Sequence, residues 1–93
     1  FYTTDGSQDS LDKAVDGGQP DVIVHLAGLY VFDHTPKQAV ELIESNITFG
    51  TKLLEAAKKA GVTKLINVGS HFQYYDSDTP RALNLYAATK QAF

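Results

Sequence analysis

The sequence predicts an α/β fold built on a parallel sheet. Three observations predict it. Two short, β-branched apolar runs occur, Val22-Ile23-Val24-His25-Leu26 and roughly Lys64 to Val68. Neither alternates apolar with polar residues, which is the pattern of a strand covered on both faces. A long stretch with helical periodicity separates them, and shorter helical stretches flank the pair. Strands alternating with helices imply right-handed crossover units and parallel strands.

Taken in order, Phe1-Tyr2-Thr3-Thr4 reads as the end of a strand and Asp5 to Gln8 as a turn. The segment Ser10 to Gly18 reads as a short helix, with Ser10 as N-cap and Gly17 or Gly18 as its stop. Gln19-Pro20 breaks the chain before the first apolar run. Gly28 to His34 follows as a loop that carries Tyr30 and Phe32. Thr35-Pro36-Lys37-Gln38 is a strong helix start, because Thr35 and Gln38 have capping-box spacing and proline suits the first helical position. Val40, Ile43, Ile47, Leu54 and Ala57 then recur near helical spacing, which predicts a helix over 36–60 with Gly61 as its stop. Gly50 inside it costs about 1 kcal/mol relative to alanine and suggests close packing or a bend. After the second apolar run come Gly69-Ser70, an irregular loop from His71 to Ala82, and a helix over 85–93 capped by Asn84.

Composition narrows the chemistry. The 93 residues are 43% hydrophobic and 20% charged, with net charge −3, the make-up of one small globular unit or part of a larger one. The lysines are scattered, so there is no nucleic-acid footprint. Cysteine is absent, which excludes disulfides, thiolate metal sites and a cysteine nucleophile. His25, His34 and His71 lack metal-ligand spacing, and Asp76 and Asp78 read as a solvated turn. No apolar stretch is long enough for a membrane span and no signal peptide is visible. The expectation is a soluble cytoplasmic protein.

In a parallel α/β sheet, ligands sit beyond the carboxyl ends of the strands. That edge would carry Ala27, Gly28, Ser70 and the start of the last helix. Tyr86 and Lys90 are four apart on that helix and so share a face. Alone, Tyr-x-x-x-Lys is a weak motif that chance readily supplies. Its place after a strand ending in serine makes it more specific.

With these features in order, the segment Asp21 to Phe93 resembles the middle of an extended short-chain dehydrogenase/reductase of the NAD-dependent epimerase/dehydratase family. DVIVHLAG is similar to the family's fourth strand and its His-Leu-Ala ending. ESNITFGTKLLEAAKKAGVTKLINVGS is similar to the next helix and fifth strand, and YTTDGS to the end of the third. The resemblance implies a partial Rossmann-type sheet and an NAD or NADP cofactor. It implies Ser70, Tyr86 and Lys90 as the catalytic set and Asp5 near the adenine ring. Ala27 and Gly28 would let backbone approach the cofactor. Lys90 would also hold ribose hydroxyls. The chemistry suits these residue types: a tyrosine near pKa 10 is a poor base at neutral pH, and a neighbouring ammonium favours its phenolate.

Asn46 falls on the asparagine of the family's Asn-x-x-Gly-Thr pattern. It reads either as a polar bridge near the site or as a helix residue bonded to its own backbone. Phe49 stands where that pattern has glycine and Gly50 follows one later, which puts the close-packing role of the glycine in question. His25 reads as strand-packed, and His71, Phe72, Gln73 and Tyr74 as loop packing that could also line a sugar site.

The resemblance further implies a nucleotide-sugar substrate, a full-length homodimer and 4-keto reduction or epimerisation, in a branch similar to CDP-abequose synthase-like 4-ketoreductases of polysaccharide biosynthesis. Dehydratases add acidic groups after the catalytic threonine, whereas His71 and Phe72 stand there. The alternative is a non-catalytic dinucleotide-binding regulatory or scaffold module. An unrelated flavodoxin-like domain would explain the alternation of elements but not the ordered motifs. The glycine-rich turn, the NAD-or-NADP selector and a C-terminal substrate domain are not in this stretch. The expectation is therefore the central part of a cofactor-binding domain, inactive by itself.

Overall fold

The two apolar runs pair in parallel in a computed structural model that describes all 93 residues, Phe1–Phe93. Strand β1, Ile23–His25, has Ile23 opposite Leu65, Val24 opposite Ile66 and His25 opposite Asn67 of strand β2, Leu65–Asn67. Both strands are shorter than their apolar runs. Burial on both faces, expected from the lack of alternation, does not hold. His25 is buried, but Val24 and Ile66 are more than half exposed, and Leu26 and Val68 continue the same open face.

Helix α1, Gln8–Gly18, starts one turn earlier than expected. Ser7, not Ser10, is its N-cap, because the Ser7 hydroxyl accepts the Ser10 N–H at 3.2 Å. Ser10 instead donates its hydroxyl to Asp5 Oδ1 at 2.8 Å. Neither glycine stops the helix. Gln19 takes the left-handed conformation (φ 43°), its N–H reaches Val15 O and its side-chain amide reaches Asp16 O. Phe1 to Thr4 form no strand, for they have no ladder partner.

The long helix is present but not uniform. Helix α2, Pro36–Ile43, opens on the expected Thr35–Gln38 capping box. A π-helical segment, Glu44–Thr48, follows and leads into helix α3, Phe49–Lys59. Gly61, at φ 77°, ends the run as expected. The buried residues are Leu42, Asn46, Gly50, Leu53, Ala56 and Ala57. Val40, Ile43 and Leu54, expected to face inward, are 62%, 45% and 43% exposed. A π turn spans more residues than an α turn. Steps of four therefore keep residues 42, 46 and 50 in line; of the periodic set, Ala57 is buried as expected and Ile47 half-buried.

Helix α1 packs across α3. Leu11 and Val15 meet Leu53 and Ala56, with Ile23, Phe49, Ala60, Val62 and Leu65 around them. The loop after β2 starts with a 3₁₀ turn, His71–Gln73, where only irregular chain was expected, and Tyr74 bridges to Arg81. Helix α4, Leu85–Ala92, is capped as expected by Asn84, whose Oδ1 accepts the Ala87 N–H at 2.9 Å. It packs on α2, on the π segment and on the 3₁₀ turn.

Candidate active site

The parallel strands point their carboxyl ends the same way, so the segments after them emerge at one edge. Ala27 and Gly28 follow β1 there, and Ser70 follows β2. A buried amide on the π segment fastens helix α4 to the turn after β1. Asn46 Oδ1 accepts the Leu29 N–H at 2.7 Å, while its Nδ2 donates to Leu29 O and to Thr89 Oγ1, each at 3.0 Å. The Thr89 hydroxyl then donates to Tyr86 O at 2.7 Å. Of the two readings of Asn46, the polar bridge is what the structure shows. Being in the π segment, Asn46 has its side chain pointed away from its own helix and into this junction.

Lys90 is brought against Gly28. A Cβ on Gly28 would lie 3.0 Å from Asn46 Oδ1 and 3.8 Å from Lys90 Nζ. Glycine at 28 thus admits the close approach of the Asn46 amide, with the Lys90 ammonium at ordinary contact distance. Lys90 is buried and takes part in none of the three ion pairs, which join Lys13 to Asp9, Lys37 to Glu41 and Lys59 to Asp12. Its aliphatic stem is enclosed, while the ammonium has no partner within the protein and is open to solvent. One turn earlier on α4, half-buried Tyr86 meets the Tyr30 ring edge-on with centroids 4.9 Å apart. Tyr30 also stacks over Phe72 at 6.3 Å.

Ser70 accepts the Phe72 N–H with its hydroxyl oxygen at 3.2 Å. The hydroxyl hydrogen has no acceptor within the protein and remains available to a ligand oxygen. Asp5 and Ala27 line a cavity of about 650 Å³ with Gly6, Leu29, Ser45 and Phe49. The Asp5 carboxylate accepts hydrogen bonds from Ser7 and Ser10, which hold it well below the usual carboxylate range. The sequence-derived residues thus fall into two neighbouring groups: Gly28, Tyr86 and Lys90 around the Asn46 junction, and Asp5 with Ala27 in the cavity.

His25 is strand-packed, as expected. Its ring stacks on Phe49 at 5.8 Å and meets Phe93 edge-on at 5.4 Å. Burial first, and the Lys90 charge second, push its pKa below 6.5. Gly50 answers the question raised by Phe49. A Cβ at Gly50 would fall 2.6 Å from the Phe93 ring, so Gly50 supplies the close approach between α3 and the end of α4. Thr89 and Gln91 were not singled out by sequence. Polar residues on a short helix carry no periodic signal, and only their partners reveal them.

A parallel strand–helix–strand unit whose following segments meet at the carboxyl edge is the arrangement of α/β proteins that bind ligands at that edge. The profile of the NAD dependent epimerase/dehydratase family matches residues 3–93, and the chain belongs to that family. No curated protein sequence matches it significantly. Among solved structures it is similar to WbmG from Bordetella bronchiseptica, in complex with NAD and UDP. That match has 24% identity and TM-score 0.81, over 99% of this chain and 31% of that one. It is similar to UDP-glucose-4-epimerase from Stenotrophomonas maltophila, with bound NAD and formylated UDP-arabinopyranose, at 21% identity and TM-score 0.79, over 94% and 28%. It is also similar to UDP-glucuronic acid 4-epimerase from Bacillus cereus in complex with NAD, at 26% identity and TM-score 0.73, over 88% and 28%. The chain therefore spans less than a third of these relatives' length. The fold is Rossmann-like, and no helix is long and apolar enough to cross a membrane.

Proposed function

We propose that the chain is the central part of an NAD- or NADP-dependent enzyme that acts on a nucleotide-activated sugar. The observation that carries this is Lys90, whose side chain is buried and whose ammonium, without an ion-pair partner, lies beside Gly28 and one turn from Tyr86. The residues suit the cofactor: Asp5 and Ala27 border a cavity with room for an adenosine, and the Lys90 ammonium next to Gly28 has no partner within the protein. Lys90, Gly28, Ala27, Asp5 and Tyr86 would hold it. When bound, the nicotinamide supplies the hydride donor or acceptor.

In 4-keto reduction, Tyr86 Oη gives its proton to the sugar oxygen as the carbon gains hydride. In the reverse half of a 4-epimerisation it takes the hydroxyl proton as the carbon loses hydride. The Ser70 hydroxyl donates to the same oxygen and orients it. Lys90 balances negative charge on the tyrosine oxygen and hydrogen-bonds ribose hydroxyls. This reading puts the protein in the cytoplasm, with the nucleotide sugars, in polysaccharide biosynthesis. The exposed stripe of Val40, Ile43 and Leu54 is the surface that a homodimer would bury. Sedimentation of the full-length protein as a monomer would contradict that assembly.

The test uses the full-length protein. NADH or NADPH fluorescence is expected to change on binding, and Lys90→Met to weaken that binding about tenfold or more, the loss of a charge-assisted contact. UDP-glucose and a UDP-4-keto-6-deoxy sugar are the substrates to try. Neither binding nor conversion by the wild type would overturn the reading.

A further inference from the structure

Ser70 and Tyr86 must address one oxygen from two separate elements, the turn after β2 and helix α4. We infer that Gln73 is the positioning residue that sets their separation, an inference that rests on the enzymatic reading above. Gln73 is 9% exposed, and every polar group it has is used. Its Oε1 accepts the Ser70 N–H at 2.6 Å, and its Nε2 donates to Gln91 Oε1 on α4 at 2.8 Å. Its own N–H reaches Ser70 O at 3.1 Å, and its carbonyl accepts the Arg81 N–H at 2.7 Å.

One side chain therefore grips the backbone of Ser70 with its oxygen and the helix of Tyr86 and Lys90 with its nitrogen. The grip needs Gly69. A Cβ there would stand 2.7 Å from Gln73 Oε1, so only glycine lets the amide fold back over the turn. The 3₁₀ turn also fixes the Ser70 hydroxyl, whose oxygen is held by the Phe72 N–H while its hydrogen stays free for the substrate. Displacement of a reacting group by about 1 Å costs roughly 100-fold in rate. A clamp across the two elements has an effect on turnover out of proportion to its effect on folding.

The experiment compares wild type, Gln73→Leu, Gln73→Glu and Gln91→Leu in the full-length enzyme. Three readouts are taken: kcat on the nucleotide sugar that the wild type converts, NADH affinity, and amide hydrogen exchange at Ser70. Gln73→Leu is expected to lower kcat about 10- to 100-fold with NADH affinity within about twofold, and to speed Ser70 exchange. Glutamate keeps the acceptor for the Ser70 N–H, and Gln91 can turn its amide to donate, so Gln73→Glu restores most of both. Gln91→Leu, at an exposed site that does not endanger folding, loses kcat severalfold with Ser70 exchange unchanged. The inference is overturned if Gln73→Leu keeps kcat, if Gln73→Glu falls as far as leucine, or if NADH affinity drops in parallel. If the wild type converts no nucleotide sugar, the enzymatic reading fails; slow Ser70 exchange abolished by leucine and kept by glutamate would still establish the clamp, and its absence would sink it.

Discussion

At Asn46, one amide holds two backbone groups of Leu29 and the Thr89 hydroxyl, joining the turn after β1 to the helix of Tyr86 and Lys90. Replacing it with alanine leaves the Leu29 N–H and C=O without protein partners in a partly buried junction. The expected cost is about 1–3 kcal/mol of stability in denaturant titration of the full-length protein. An unchanged midpoint would mean that water takes over these bonds without loss. His25 gives the second residue-scale prediction. Its pKa in the fold is pushed below 6.5, so the unfolded chain binds its proton first as pH falls. The stability that neutral His25 contributes is complete above pH 6.5 and declines as pH drops from there toward the folded-state pKa. Asp5 and Asp12 also have lowered pKa values and act in a more acid window, below 3.8. Lys59, with its pKa raised by Asp12, acts only above 10.5. Melting temperature should therefore fall between about pH 7.5 and 5.5, and His25→Phe should flatten the profile. A profile with the same slope in that variant would assign the effect elsewhere. At this scale the sequence was most legible in placement: Lys90 does lie beside Gly28, one helical turn from Tyr86. It was least legible at Gln73, Thr89 and Gln91, whose importance lies in partners distant along the chain.

Among the elements, the junction of α3 with the end of α4 depends on a glycine. In an exposed helix, Gly50→Ala would gain about 1 kcal/mol from propensity. Here the new methyl must displace the Phe93 ring that also packs on His25, and overpacking costs about 1–3 kcal/mol. Net destabilisation is expected by chemical denaturation. In a Phe93→Ala background the same substitution should become neutral or stabilising, as non-additivity at a shared contact requires. Additive effects would show that Gly50 and Phe93 are independent. The helix caps at Thr35, Asn84 and Gly61 were readable because each has a local cause. The shift from Ser10 to Ser7 arose because both serines offer the same cap chemistry three residues apart. The π segment was not readable, since its single wide turn leaves the outer apolar stripe with ordinary helical spacing. Periodicity placed Ala57 correctly inside and Ile47 at the boundary, but Val40, Ile43 and Leu54 lie on the exposed side.

For the whole molecule, the two-stranded sheet leaves one apolar face open, with Val24, Leu26, Ile66 and Val68 exposed. Its core contains few large side chains, and only Leu42 among them is fully enclosed. The isolated 93-residue chain is therefore expected to melt without a sharp transition and to bind an apolar dye such as ANS. A cooperative melt with no dye binding would contradict this. The continuous apolar runs were read as strands covered on both sides. The runs are strands, and the face they leave open suits a neighbour that the rest of a longer relative would provide. Fold class was legible because strand and helix alternation is a property of the whole chain. The arrangement of the site was legible only as far as the parallel sheet places its loops at one edge.

The central claim is that Tyr86 moves the proton at a sugar oxygen while Lys90 and Gly28 hold the cofactor beside it. The measurement that tests it most directly is turnover and NADH binding by Tyr86→Phe in the full-length enzyme. The account predicts a fall in kcat of about 10²- to 10⁴-fold with NADH affinity within about twofold of wild type. Turnover at the wild-type rate in that variant would contradict it.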